Sequence, residues 1–295
     1  MKVTKVAVIS TNDRTYGVNK SFELLGFNPV AGKDVVFKPN FNTADPAPAS
    51  TDMEAFRQII IKIREMGAKK ITVAERCGPA NTEEAFKEKG LYKLAEEFDL
   101  SIVNLSTAPR EEWVLKIPEG CHWRDGFLFS KTYDEAECVI ETCCLKTHQY
   151  GGHFTLSLKN ATALVPRDGY PLMKELHSSP HQRKMIAEIN AVYKWDLIIM
   201  DGVISFVDGG PMEGTRVDSN VFVAGTDKIA IDAVGVALLR MHGTTPEVSE
   251  GPIFKQEQIA RAVELGIGIS SFGEIEFLTD SPESESLVSM IRAEF

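Results

Sequence analysis

Short apolar runs alternate with segments of helical hydrophobic spacing along most of the chain. In the first third, each run has the length of a buried strand and is followed by a helix-like segment. We predict strands over Val3–Ser10, Asp34–Lys38, Lys70–Ala74 and Leu100–Asn104, and helices near Asn19–Leu25, over Met53–Met66 with Gly67 as cap, and over Thr82–Phe98 with a break at Gly90. This alternation predicts an α/β fold with a mostly parallel, doubly wound sheet.

A different pattern interrupts this rhythm between residues 111 and 131. Trp113, Leu115 and Ile117 alternate with other residues, as do Phe127 and Phe129, which predicts a small hairpin insertion. The earlier pattern then resumes, with strands predicted over Cys138–Leu145, Asp196–Met200, Ser219–Ala224 and Glu274–Thr279, and helices over Met185–Tyr193, Lys228–Met241, Gln258–Leu265 and Glu283–Ala293. We place a boundary between two lobes, residues 1–110 and 111–295, although one domain carrying the hairpin fits equally.

Composition narrows the class of protein. A hydrophobic content of 43% with 25% charged residues is typical of a globular protein, and a formal net charge of −10 argues against non-specific nucleic-acid binding. No apolar run approaches the roughly 20 residues that span a bilayer, and the N-terminus resembles a strand more than a signal peptide. The five cysteines include no Cys-x-x-Cys pair, so we expect reduced thiols, a cytoplasmic location and no encoded iron–sulfur cluster or zinc ribbon.

The segment 144–160 carries the densest set of chemical groups, directly after an apolar strand. Polar residues and glycines at a strand end are how open α/β sheets build ligand sites. Lys146, Lys159 and Asn160 suit an anionic substrate, and His148 is a candidate to move a proton near neutral pH. His148 and His153 are also candidate metal ligands.

Other predicted strands end in polar residues that would meet this segment at the same edge. Lys38 and Asn40 follow the second strand, with a long loop after them that is able to cover a cleft. Glu75 ends the third strand and is a base, a metal ligand, or a partner of Arg76 or Lys38. Asp201 ends a later strand, where a carboxylate fits a metal site.

Three further features have ordinary structural alternatives. The glycine-rich run Asp208–Pro211 is either a metal or phosphate platform or an ordinary turn. Asp227 is expected to cap the helix that follows it. Asp232 lies inside an apolar helix, so it needs a buried partner, and a lysine or a metal would serve.

These motifs, taken in order, resemble the domain-of-unknown-function 362 family over roughly residues 30–240. The resemblance rests on Lys38–Asn40, Lys146–His148, Thr155–Asn160, His177 or His181, Asp201-Gly202, Gly210–Gly214 and Gly225–Gly235. Many relatives carry a four-cysteine, ferredoxin-like segment that this sequence lacks. The run Asn12–Thr15 also resembles, with residues transposed, a loop of lactate racemase, whose nickel cofactor is held partly by lysine and histidine; this prompts a test for a metal.

The function favoured by these residues is that of an α/β enzyme that performs acid/base chemistry on a small anionic metabolite, with or without a divalent metal. An isomerase, a lyase or an oxidoreductase fits this description. The alternative is a non-catalytic accessory protein that handles a metal or cofactor through its histidines and cysteines. The assigned residues are His148, Lys159 and Lys38 for catalysis, Asn40, Lys146 and Asn160 for substrate binding, and His148, His153, Glu75 and Asp201 for a metal.

Overall fold

A computed structural model describes residues 3–295 and confirms the mostly parallel α/β fold. The strands are β1 (Thr4–Ser10), β2 (Asp34–Lys38), β3 (Lys70–Glu75), β4 (Leu100–Asn104), β5 (Trp113–Lys116), β6 (Phe127–Ser130), β7 (Cys138–His148), β8 (His153–Thr155), β9 (Leu197–Gly209), β10 (Gly214–Gly225) and β11 (Ile275–Leu278). The helices are α1 (Arg14–Leu25), α2 (Met53–Glu65), α3 (Thr82–Glu88), α4 (Leu91–Phe98), α5 (Lys131–Asp134), α6 (Ser157–Asn160), α7 (Leu172–Ser178), α8 (Gln182–Ile189), α9 (Lys228–Met241), α10 (Pro246–Ser249), α11 (Glu257–Glu264) and α12 (Pro282–Ala293).

Within the described residues, nine strands form one sheet in the order β11-β1-β10-β9-β7-β2-β3-β4, and β8 pairs only with β7. The strands β10 and β8 run antiparallel to their neighbours, whereas the other pairings are parallel. The carboxyl ends of β1, β2, β3, β4, β7 and β9 therefore lie at one edge of the sheet. Open α/β sheets bind ligands at this edge.

Packing against both faces of the sheet explains why its strands are continuous apolar runs. In β2, Val35, Val36 and Phe37 are all buried, because helices cover the sheet above and below. Helix α2 turns its apolar residues toward the sheet, among them Phe56 and Ile60.

The predicted hairpin is confirmed as the antiparallel pair β5–β6, which lies outside the main sheet. Its residues Trp113, Phe127 and Phe129 are buried in a core cluster with Tyr133 and Tyr193. Strands from both sides of residue 110 share the main sheet, since β2 pairs with β7. The two-lobe boundary stays a prediction.

Several elements differ from their predicted extent. Helix α1 begins at Arg14 rather than Asn19, because the Asp13 side chain accepts a hydrogen bond from the Tyr16 amide and caps the helix. Strands β9 and β10 continue far beyond their apolar cores and form a long hairpin. Between His153 and Asn160, the chain forms strand β8 followed by the short helix α6. Among the described helices, none combines the length and the apolar composition that crossing a membrane requires.

Candidate functional site

Lys38 and Glu75 form a buried ion pair at the carboxyl ends of β2 and β3. Lys38 Nζ lies 2.6 Å from Glu75 Oε2, and it also donates to the carbonyl oxygen of Pro39 at 2.6 Å and to Asn160 Oδ1 at 3.1 Å. Burial raises the pKa of Glu75, and the charge of Lys38 opposes that rise. All three ammonium protons of Lys38 thus have an acceptor, so the Lys38–Glu75 pair holds β2 and β3 together at the site.

Asn40, Lys146 and Asn160 continue the network from the loop after β2 to β7 and α6. Lys146 Nζ donates to Asn40 Oδ1 at 2.9 Å and to the carbonyl oxygen of Ala49 at 2.6 Å, and Asn40 Nδ2 donates to Asn160 Oδ1 at 3.1 Å. Burial lowers the pKa of Lys146 to about 8. The ammonium meets only neutral oxygens here, so its charge is not offset by a bonded carboxylate.

Asp232 fixes the start of α6 and thereby the positions of Lys159 and Asn160. Its carboxylate accepts hydrogen bonds from the backbone amides of Ser157 at 2.8 Å and Leu158 at 3.2 Å, and from the Ser157 hydroxyl. Burial raises its pKa to about 6, against the effect of these hydrogen bonds. The hydrogen-bonding partner of Asp232 is therefore the N-terminus of a short helix, and the expected lysine is Lys228, whose buried charge lowers the pKa of the carboxylate.

Lys159 and His148 lie side by side because the residue between their side chains is a glycine. A Cβ atom placed on Gly152 would come within 2.9 Å of both His148 Nδ1 and Lys159 Cε. Each of the two side chains is only 7% exposed. Within residues 3–295, no hydrogen bond or ion pair engages the Lys159 ammonium.

Burial also sets the protonation of this pair. It lowers the pKa of Lys159 to about 8, helped by the positive charges of Arg76 and Lys146. It lowers the pKa of His148 well below the usual 6.5, and the neighbouring Lys159 adds to this effect. At neutral pH the site therefore holds a charged lysine against a neutral imidazole.

Two cavities that share several lining residues open at this edge. The inner chamber, of about 60 Å³, is lined by Asn40, Asn42, Lys146, His148, Thr155, Lys159 and Asn160 among others. The outer cleft, of about 670 Å³, is lined by Tyr150, Arg167, Met173, Leu176, His177 and Met212 among others. Both cavities share His148 and Lys159, so the two side chains stand where the chamber meets the cleft.

The inner chamber contains buried polar atoms that lack a partner. Asn42 Nδ2, His148 Nδ1 and Thr155 Oγ1 have no hydrogen-bond partner among the described residues, and all three residues line this chamber. Buried polar atoms in native proteins are nearly always bonded, so each such atom requires an explanation. A bound ligand or ordered water in the chamber would supply one.

The four residues assigned to a metal do not form one cluster among the described residues. Glu75 is bonded to Lys38, and Asp201 is bonded to Arg14 at 2.8 Å. His153 pairs across β7–β8 with His148 and shares with it a neighbouring cavity of about 300 Å³. No group of three or more His, Cys, Asp or Glu side chains within residues 3–295 has an arrangement suited to a metal ion. Metal binding stays a prediction.

The remaining sequence candidates fall inside or outside the cleft. His177 lines the outer cleft, whereas His181 packs against His122 with ring centroids 4.5 Å apart. The run Asp208–Pro211 forms part of the β9–β10 turn, and Asp227 caps α9 as expected, accepting from the Ala230 amide at 3.0 Å.

Sequence reasoning missed several residues of the site. Arg76 appeared only as a partner of Glu75, yet its guanidinium donates to the carbonyl oxygens of Val165 at 2.9 Å and Thr162 at 2.6 Å and so ties β3 to the segment after α6. Asn42 lies two residues after Asn40 and was not itself singled out, and Thr155 was named only as the first residue of the motif Thr155–Asn160, without a role at the site.

The chain matches the family model described as "Domain of unknown function (DUF362)" over residues 35–237, which is more than half of its length. The chain belongs to this family. The DUF362 match includes the residues named above for the inner chamber, from Asn40 to Asn160, and Asp232 behind it. No curated protein matches the chain. Among solved structures, the chain is similar to the lactate racemase apoprotein from Thermoanaerobacterium thermosaccharolyticum, with a TM-score of 0.40 and 14% identity, over 97% of this chain and 85% of that one.

Proposed function

We propose that this protein is an enzyme that binds a small anionic metabolite in the inner chamber and moves a proton on it. Lys159 holds the anion with support from Lys146, and His148 is the acid/base residue. The observation that carries the proposal is the charged, unbonded Lys159 ammonium beside an imidazole whose Nδ1 has no partner within the described residues.

The charge balance of the chamber favours an anion. A buried ammonium without a counter-ion is costly, and a protein tolerates that cost where a ligand supplies the opposite charge. The only carboxylate among the described lining residues is Glu75, which is already paired with Lys38. Lys146 and Lys159 are therefore left for an anion.

The proton-transfer role follows from the coupling between His148 and its neighbours. Burial and the charge of Lys159 lower the pKa of His148 and favour the neutral imidazole. A bound anion offsets that positive charge and moves the imidazole pKa back toward neutral pH, where a general base is most effective. Lys159, with a pKa of about 8, is the second group able to exchange a proton at this pH.

Lys38 receives a different role from the one first assigned to it. Its three bonded acceptors leave no ammonium proton for a ligand, so we assign it to positioning Glu75 and Asn160. The accessory-protein alternative needs accessible thiols, but Cys143 and Cys144 are each 1% exposed and burial raises their pKa values. This favours the enzyme.

The test is a binding and turnover screen with a panel of small organic acids and phosphorylated metabolites. Calorimetry would compare the natural sequence with Lys159→Met, His148→Gln and, as a matched control, Lys93→Met on the exposed surface of α4. We expect Lys159→Met to lose anion binding, His148→Gln to retain binding but lose turnover, and the control to retain both. Unchanged binding and turnover in both site variants would refute the proposal.

A further inference from the structure

We infer that the anionic group held in the inner chamber is a carboxylate, and that it belongs to a molecule whose apolar body occupies the outer cleft. This inference rests on the proposed anion-binding function of the same site. It is carried by the number and type of unbonded polar atoms that line the chamber and by the apolar lining of the cleft beyond it.

The unbonded groups of the chamber match the hydrogen-bonding capacity of a carboxylate. Three buried side-chain atoms of the described chamber have no partner, namely Asn42 Nδ2, Thr155 Oγ1 and His148 Nδ1. The Lys159 ammonium beside them makes no hydrogen bond or ion pair within the described residues. A carboxylate offers two oxygens with about four lone-pair sites. One carboxylate therefore satisfies this set, and a chamber of about 60 Å³ is the size of a few atoms rather than of a whole metabolite.

The guanidinium that lines the chamber and the backbone amides at the start of α6 already have partners within the protein. The backbone amides of Ser157 and Leu158, at the start of α6, donate to Asp232. Arg76 lines the chamber, but its Nε and both terminal nitrogens donate to backbone carbonyl oxygens of Val165, Cys77 and Thr162. Free backbone amides and an open guanidinium fork are what phosphate sites commonly provide.

The outer cleft indicates the chemistry of the rest of the ligand. The outer cleft presents the apolar side chains of Met173, Leu176 and Met212 and the ring of Tyr150, and its volume of about 670 Å³ is in the range of small-molecule sites. Because His148 and Lys159 line both cavities, the carbon atom that carries the carboxylate would lie where the chamber meets the cleft. The bonds of that carbon atom would then lie beside His148, the proposed acid/base residue.

The test compares head groups on a constant body. Calorimetry would measure the binding of hexanoate, phenylacetate, acetate, hexyl phosphate and inorganic phosphate to the natural sequence, to Thr155→Val and to Thr155→Ser. We expect hexanoate and phenylacetate to bind more tightly than acetate, and the phosphates to bind weakest. Thr155→Val should lose about tenfold in carboxylate affinity, because a hydrogen bond to a charged group is removed. Thr155→Ser keeps the hydroxyl and should keep the affinity.

The outcomes separate the two proposals. If hexyl phosphate binds more tightly than hexanoate and Lys159→Met abolishes that binding, the carboxylate inference fails while the anion-binding function stands. If none of the five anions binds, or if their binding is insensitive to Lys159→Met, both fail. Equal losses in Thr155→Val and Thr155→Ser would overturn the role assigned to the hydroxyl, and thermal unfolding of both variants checks that they fold.

Discussion

Replacing Lys159 with methionine should make the protein more stable and, at the same time, less able to bind its ligand. Methionine keeps the unbranched stem of lysine and removes the buried charge. Burial lowers the pKa of this lysine from 10.5 to about 8. Since one pKa unit corresponds to about 1.4 kcal/mol, burial of the charged side chain costs the folded protein about 3 kcal/mol at neutral pH.

The pH dependence gives this prediction a definite sign. Between pH 8 and 10.5 the unfolded chain retains the lysine proton that the folded protein has lost, so the stability of the natural sequence rises with pH in this window. The advantage of Lys159→Met over the natural sequence should therefore be full below pH 8 and fade by pH 10.5. Urea unfolding at pH 7 and at pH 10 measures both values.

Ligand affinity should change in the opposite direction. Loss of a hydrogen bond between a charged donor and an anion costs about 1.5–3 kcal/mol, which corresponds to about a 10- to 150-fold weaker Kd. Lys93→Met, on an exposed helix surface, should alter stability by no more than about 0.5 kcal/mol and leave the affinity unchanged. A Lys159→Met variant that is less stable than the natural sequence at pH 7 would refute the reasoning, because it would show that the ammonium has a structural partner.

The pH dependence of anion binding, the anchoring of α6 and the close approach of His148 to Lys159 can each be tested. Anion affinity should fall as pH rises above about 8, where both site lysines lose their protons, and calorimetry from pH 6.5 to 9.5 that shows constant affinity would contradict the assignment. Asp232→Ala removes the acceptor of the Ser157 and Leu158 amides and should lower the free energy of unfolding by about 2–4 kcal/mol in urea titrations; an unchanged value would mean that α6 does not depend on this anchor. Gly152→Ala should weaken anion binding by pushing the site histidine and lysine apart, and a variant with the natural affinity would show that the close approach is unimportant.

An element of the fold was predictable where its own pattern of apolar and polar residues is clear. The bounds of β2 and α9 were predicted as they are found, because both are continuous apolar segments with clear ends. The outer half of β10, with Thr215 and Arg216, was not predicted because its residues are exposed and show no alternation of apolar and polar side chains. Its strand conformation is stabilised by pairing with β9. Pairing between strands is a tertiary property that overrides local propensity.

The candidate site was predictable in its location and less so in its internal bonding. Polar residues at strand ends placed Lys38, Glu75, Lys146 and His148 at one edge of the sheet. Lys38 and Arg76 were both possible partners of Glu75. The choice of Lys38 depends on side-chain geometry at the ends of β2 and β3, which the sequence alone does not contain. The pairing of Asp201 with Arg14 has the same origin: it joins residues 187 positions apart.

The protonation of His148 is central to the proposed function, and a nuclear magnetic resonance titration of its imidazole measures it directly. The protein contains six histidines, so selective ring labelling with a His148→Gln variant for assignment is practical. We predict that the free protein holds His148 neutral down to a pH well below 6.5, and that a saturating carboxylate ligand raises its pKa. A His148 pKa near 6.5 in the free protein, or one that the ligand leaves unchanged or lowers, would contradict the account.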